Sequence, residues 1–327
     1  GLTYEPGDPY SAEEMDKSNF MILEPYQEDG YIFANAMPRK DYRADSVDIH
    51  FELYEGERAY VRMINIEGNK RTFEKVIRRE LALKPGDVFK RSKLMRSQRN
   101  VYYLNYFEDV VPDFDVQDDG QVDLTFDVTE KNVGRFQVGA SFNSEDKLVG
   151  TIDIGWPNVL GRGYELELQY EFGKTKTNLV LGFTDPWFLD TPTTVGVDIY
   201  NSLYRWDGYY TETKLGGALR LGRKLRIPDD YCSVYWRYSL QQLDYYDFSS
   251  SYSPSPRYDL RTQGYPKIES STRVSFIRDS RDSRMFATDG SRNSYAVEAA
   301  GHFLGGDIEY QLQEIRSDWY FSLHKYL

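Results

Sequence analysis

The sequence holds a single cysteine, Cys232, in 327 residues, so no internal disulfide can form. It has no run of about 20 apolar residues, which excludes a transmembrane helix. A membrane is not thereby excluded, because a barrel strand shows only alternate apolar residues. For the same reason the mean hydropathy of −0.64 decides nothing. Positive charge is in deficit: 40 Lys and Arg face 52 Asp and Glu, a net charge of −12. That argues against a nucleic-acid surface, whose phosphate contacts need cations. His50, His302 and His324 lie far apart in no ligand-spaced cluster, and there is no glycine-rich nucleotide loop. Carboxylates are abundant, Asp118-Asp119 and Asp229-Asp230 among them, but abundance does not make an acid/base pair. Cys232 shares an apolar phase with Val234 and Trp236, the setting of a buried or lipid-facing thiol rather than a nucleophile. These readings give no catalytic residue, no metal site and no cofactor.

What the chain does have is a change of rhythm near Val133. Before it, charged segments read as helices and short strands. After it come long strands in which apolar and polar residues alternate. Phe136, Val138, Ala140 and Phe142 share one phase against Arg135, Gln137 and Ser141. Tyr164, Leu166, Leu168, Tyr170 and Phe172 face one way, and Glu165, Glu167, Gln169 and Glu171 the other. A strand sends successive side chains to opposite faces, so these strands need one apolar and one wet surrounding. Aromatic residues make up 16% of the chain. That suits the aromatic girdles of a membrane barrel and also a Tyr-rich soluble β protein.

The first part divides into two units. In one, 11–29 reads as a helix, with Ser11 and Glu14 at capping-box spacing and Pro25 weakening its end. Strands follow at 31–37 and 46–54, separated by a polar stretch at 38–45. In the other, a strand at 60–67 and the Gly68-Asn69 turn lead to helices at 72–81 and 92–106. Strands at 107–115 and 121–129 complete a β-α-α-β-β order. Either of these last two strands is a candidate exposed edge. From Val133 onward only strands are found, at 134–142, 148–156, 163–172, 177–184, 194–205, 210–222, 231–243, 271–278, 294–302 and 307–323. Several exceed the usual five or six residues and match the 9 to 11 of a tilted bilayer crossing. A long Tyr-, Ser- and Pro-rich loop at 244–270 contrasts with short joints at 143–147 and 206–209, as expected of barrel loops and turns. Gly1 opens inside what reads as a domain and Leu327 follows strand-like sequence. The chain is therefore expected to be an excerpt of a longer protein.

Four stretches carry a family resemblance. The first is Val61-Arg62-Met63-Ile64-Asn65-Ile66-Glu67-Gly68-Asn69, continuing through Val76-Ile77-Arg78-Arg79-Glu80-Leu81 and Gly86-Asp87 to Leu104-Asn105-Tyr106-Phe107 and Val110. The second is Pro157-Asn158-Val159-Leu160-Gly161-Arg162-Gly163, the third Phe183-Thr184-Asp185-Pro186-Trp187-Phe188. The fourth is Arg278-Asp279-Ser280-Arg281-Asp282 with Phe286-Ala287-Thr288-Asp289-Gly290, where Ala287 stands in place of the more usual Pro. Together they resemble the Omp85 (BamA) outer-membrane insertase family over nearly the whole chain. The resemblance implies an α+β fold of periplasmic POTRA modules followed by an antiparallel transmembrane β-barrel. Sixteen strands are expected in a full protein and about ten here. The implied domains are a partial POTRA at 1–57, the fourth of a series, a second at 58–131, the fifth and barrel-proximal one, and the amino-terminal part of the barrel at 132–327.

The implied function is nucleotide-independent folding and insertion of β-barrel proteins into the outer membrane, by strand templating at POTRA and first-strand edges. Phe136, Gln137, Val138, Gly139, Ala140, Ser141 and Phe142 would pair with a client strand. Arg278, Asp279, Arg281 and Asp282 would form a charge cluster inside the barrel, or else a solvated turn. Arg78, Arg79 and Glu80 would meet an accessory lipoprotein such as a BamD-like subunit, or else form a solvated helix face; Pro85 departs from the family pattern there. The expected partners are unfolded outer-membrane proteins, accessory lipoproteins and outer-membrane lipids, with no nucleic acid. Alternatives are a TamA-like assembly factor, a two-partner secretion transporter or, in another class, a soluble β-rich enzyme or binding protein.

Overall fold

The computed structural model describes residues 7–144, 147–225, 227–229, 231–282 and 286–322. His324, Asp230 and the 145–146 part of the first short joint lie outside the described residues. The chain forms two compact units: Gly1–Val133 with Leu160–Arg162, and Gly134–Val159 with Gly163–Leu327.

The first unit begins with helix α1, Ala12–Glu28, whose start is fixed by the Ser11 hydroxyl accepting from the Glu14 N–H at 3.4 Å. Strands β1, Asn35–Tyr42, and β2, Val47–Tyr54, form an antiparallel hairpin. This corrects the expected strand at 31–37. Tyr31 is held in a turn by its N–H bond to the Tyr26 carbonyl, and the polar stretch Pro38–Asp41 pairs instead with Asp48–Phe51.

The second module holds β3, Val61–Glu67, α2, Glu74–Arg78, α3, Arg91–Tyr103, β4, Phe107–Val116, and β5, Val122–Glu130. Its sheet order is β3-β5-β4, with β5 parallel to β3 and antiparallel to β4. Val122, Leu124, Phe126 and Val128 on β5 are buried against Ile77, Leu94 and Val101 in one core. The last strand is therefore the middle one. It has hydrogen-bonding neighbours on both sides, so of the two candidate edges 121–129 is ruled out and 107–115 remains; the sheet's edges are β4 and β3. Helix α2 is also much shorter than 72–81, because Phe73 offers no capping side chain and Leu81 and Leu83 enter the core from a turn.

Among the described residues the second unit is one ten-stranded antiparallel sheet in chain order. Its strands are β6, Arg135–Asn143; β7, Lys147–Val159; β8, Tyr164–Gly173; β9, Lys176–Asp185; β10, Thr193–Trp206; β11, Tyr210–Lys224; β12, Cys232–Tyr246; β13, Lys267–Asp279; β14, Gly290–Ala300; and β15, Tyr310–Tyr320. The apolar phases line up across strands. Trp156, Leu166, Phe183, Val197 and Leu219 stand opposite one another in series from β7 to β11. Phe136, Val138, Ile199 and Leu219 are 69%, 67%, 58% and 48% exposed, on a face over which no protein packs among the described residues. Such a continuous apolar surface is far beyond what a water-facing sheet carries and fits lipid contact. The long loop between β12 and β13 is itself ordered around Tyr252, which is buried among Tyr210 and Phe248.

Candidate functional site

All seven residues expected to meet a client strand, Phe136 to Phe142, lie on β6. That strand pairs with β7, Phe136 opposite Ile154 and Phe142 opposite Leu148. Among the described residues its other backbone edge has no strand neighbour. An unpaired row of N–H and C=O groups is a template for another strand, whatever that strand's side chains. Gly139 makes room on the polar face: a Cβ there would stand 2.7 Å from the Thr151 hydroxyl. In the second module β4 offers a comparable edge, with Val111 and Phe114 half exposed.

The polar sheet face holds a constellation that the sequence reading missed. Arg220, Arg237 and Arg273 stand directly opposite one another on β11, β12 and β13. Like charges in that register repel, and carboxylates offset them. Asp198 lies 2.8 Å from Arg220 and 3.6 Å from Arg237, and Arg273 bridges Glu298 at 3.1 Å and Glu314 at 2.6 Å. Gly196 clears the space in which the Arg220 guanidinium lies; a Cβ there would come within 2.9 Å of it. The face continues through Tyr200, Gln241 and Glu269 around a hollow of about 540 Å³. The partners in this constellation are far apart in sequence, and only the register joins them.

Among the described residues, the four expected as a barrel-interior cluster meet several different partners. Arg281 grips Asp279 through two bonds of 2.8 Å, and Asp279 also faces Arg292 at 3.9 Å. By alternation Asp279 shares the face of Arg273, whereas Arg278 shares that of Val274 and Phe276. Arg278 reaches Asp229 at 2.8 Å and lies over Tyr231. Asp282 accepts the N–H groups of Thr288 and Asp289. Cys232 is buried, with its thiol 3.2 Å from Asp229.

Arg78 pairs with Glu74 on α2 and donates to the Ile64 carbonyl at 2.8 Å. Arg79 and Glu80 follow the helix, 3.8 Å apart, with side chains only 13% and 21% exposed. At the module's end, burial pushes the Glu130 carboxyl up, but bonds from Thr72 and Arg71 outweigh it and hold the group below its ordinary value. The Arg62 guanidinium does the same to Asp123. His50 and His302 fall in different units. Among the described residues no three His, Cys, Asp or Glu are grouped to hold a metal ion.

Comparison with known proteins follows the division into units. Residues 2–56 and 59–131 match the POTRA model, described as a surface antigen variable number repeat. The chain is 26% identical over 304 residues to the outer membrane protein assembly factor BamA of Nitratidesulfovibrio vulgaris, covering 92% of this chain and 37% of that protein. It is 26% identical over 344 residues to BamA of Neisseria meningitidis serogroup B, covering 99% of this chain and 42% of that protein. It thus spans less than half the length of these relatives. The crystal structure of Haemophilus ducreyi BamA lacking POTRA domains 1–3 shares its fold, with a TM-score of 0.75 at 20% identity over 91% of this chain and 59% of that one. Small α+β modules that match POTRA repeats thus precede a partial antiparallel barrel sheet, and the Omp85 superfamily domain model covers residues 158–327, over half the chain: the chain belongs to the Omp85 superfamily.

Proposed function

We propose that the protein to which this chain contributes folds β-barrel proteins and inserts them into the outer membrane. Membership of the superfamily places the sheet in that membrane and the POTRA modules in the periplasm. The single observation that carries the reading is a ten-stranded antiparallel sheet with a continuous apolar face, which follows two POTRA matches and opens with β6. A client strand adds there by exchanging backbone hydrogen bonds, so many unrelated clients fit and no nucleotide is needed. Phe136, Gln137, Val138, Gly139, Ala140, Ser141 and Phe142 form the pairing strand, and β4 offers a first periplasmic edge. The modules at 1–57 and 58–131 are read as the fourth and fifth POTRA domains. Arg78 is the accessible member of the trio facing a BamD-like accessory lipoprotein, and Asp279 with Arg281 the paired core of the polar-face charge cluster. The sheet's apolar face meets outer-membrane lipid.

Depletion of the full-length protein, followed by measurement of outer-membrane barrel levels, tests the reading. A general fall in barrel insertion is expected. Unchanged insertion of all other barrels overturns it, and loss of one secreted partner alone assigns a transporter.

A further inference from the structure

The helical layer of the second module departs from the charge of the rest of the chain. Residues 70–103 carry 11 Lys and Arg against three Asp and Glu, in a protein of net charge −12. Helix α3 is the extreme, with Arg91, Lys93, Arg96 and Arg99 and no acid. Cations in its first turn oppose the helix dipole, which favours anions there. Glu28 of α1 supplies the missing carboxylate, accepting the Ser92 N–H at 3.1 Å and the Ser92 hydroxyl. The other early cations are engaged too. Arg91 donates to Gln27 at 3.4 Å and lies over the Phe20 ring, and Lys93 stands 3.5 Å from Asp87.

Arg96 and Arg99 differ. They are exposed and three residues apart on the helix, a like-charge spacing that costs helix stability. Neither has an ion pair among the described residues. Beside them Met95, Tyr102 and Tyr103 are 50%, 51% and 74% exposed, while Leu94, Ser97 and Val101 fill the opposite, buried side. The result is a stripe of two uncommitted guanidiniums flanked by a thioether and two phenols.

We propose that this stripe of α3 binds an anionic phospholipid surface; the inference rests on the outer-membrane placement of the chain. Guanidinium forks pair with phosphate oxygens. Tyrosine and methionine suit the boundary between headgroups and acyl chains, where rings with a polar tip collect. A peptide partner would need a groove or a sheet edge to lie against, and the stripe is the convex side of a helix. Only 31 residues separate Tyr103 from Arg135 at the start of the sheet. The module is thus tethered to the membrane, which raises the effective concentration of headgroups, and each arginine near an anionic surface adds about a fivefold gain.

The test uses the whole protein in nanodiscs of phosphatidylcholine alone or with about one third phosphatidylglycerol, read by amide hydrogen exchange. The amides of residues 95–103 should exchange several-fold more slowly in the anionic discs. High salt and the R96Q/R99Q variant should abolish the difference, and the β5 amides should stay protected throughout as a check that the module is folded. Equal exchange in the two discs, slowing that persists in R96Q/R99Q, or slowing only on addition of an acidic protein overturns the proposal. Heat-modifiable migration of the same samples reports independently whether the sheet is inserted, so failure of the outer-membrane reading is seen separately.

Discussion

The backbone N–H of Thr72 donates to the carboxylate of Glu130 at 2.6 Å, tying the turn after β3 to the last residue of β5. Arg71 adds its own N–H at 3.0 Å to the same carboxylate, whose side chain is 8% exposed. Charged hydrogen bonds of this kind contribute about 1.5–3 kcal/mol. Glu130→Gln should therefore raise amide exchange at Arg71 and Thr72 about tenfold or more. The wild-type protection carries a pH signature. Because the folded carboxyl is held low, its contribution is complete above the ordinary value near 4.5 and is lost as pH falls through the folded value. Exchange protection that ignores both acid and E130Q would remove this bond from the account.

Gly68 and Gly86 share a left-handed backbone but not their surroundings, with φ of +84° and +89°. A Cβ on Gly68 would lie 2.0 Å from the Val128 carbonyl oxygen, whereas one on Gly86 would meet nothing within 4 Å. Gly86→Ala should cost about 1–2 kcal/mol, the penalty of the backbone angle alone. Gly68→Ala has to displace the central strand and should cost at least about 4 kcal/mol. Limited proteolysis of the module separates the two: G86A should stay resistant and G68A should be cut within β5.

Asp198, on β10 at one end of the arginine row, is the acceptor shared by Arg220 and Arg237. Asp198→Asn should destabilise the sheet by about 1–3 kcal/mol, less than a fully buried pair because both arginines are more than a third exposed. The full-length barrel should lose its fast-migrating folded band at a lower temperature, and adding R220Q should restore part of the loss. A single variant as heat-stable as the wild type would show that the row needs no shared anion.

A photo-crosslinker distinguishes edge from interior. Placed at Val138 on β6 or Val111 on β4, it should capture client chains; at Thr125 on β5, between two paired neighbours, it should not. Equal capture at Val111 and Thr125 would separate client binding from strand addition in this module.

Much of this was legible in the sequence. The ten strands after Val133 follow from two-residue alternation, because a face bathed in lipid enforces that pattern along every strand. Register is another matter. Nothing in the neighbours of Arg220 points to Arg237 or Arg273, since cross-strand contact depends on where each hairpin turns. Polarity misled at Arg39–Asp41, where backbone pairing alone carries the outer end of a two-stranded ribbon and no apolar phase is needed. The central position of β5 was also hidden, although four consecutive apolar phase positions, Val122 to Val128, are what a strand covered on both edges can carry. In α2, periodicity counted residues that reach the core without being helical.

The parallel pairing of β3 with β5 has a temporal consequence. Val61 bonds early to the turn at Gly86 and Asp87, but its strand waits for Val122, 61 residues later, before it has a partner strand. When the chain crosses into the periplasm from its amino end, β3 and β4 emerge as two separate sticky borders, and only the final strand slides between them to close the module. A chain interrupted before Val122 would thus be more prone to aggregate than one interrupted after Glu130, although the two differ by so few residues. The module's last segment to arrive is the one that holds it together.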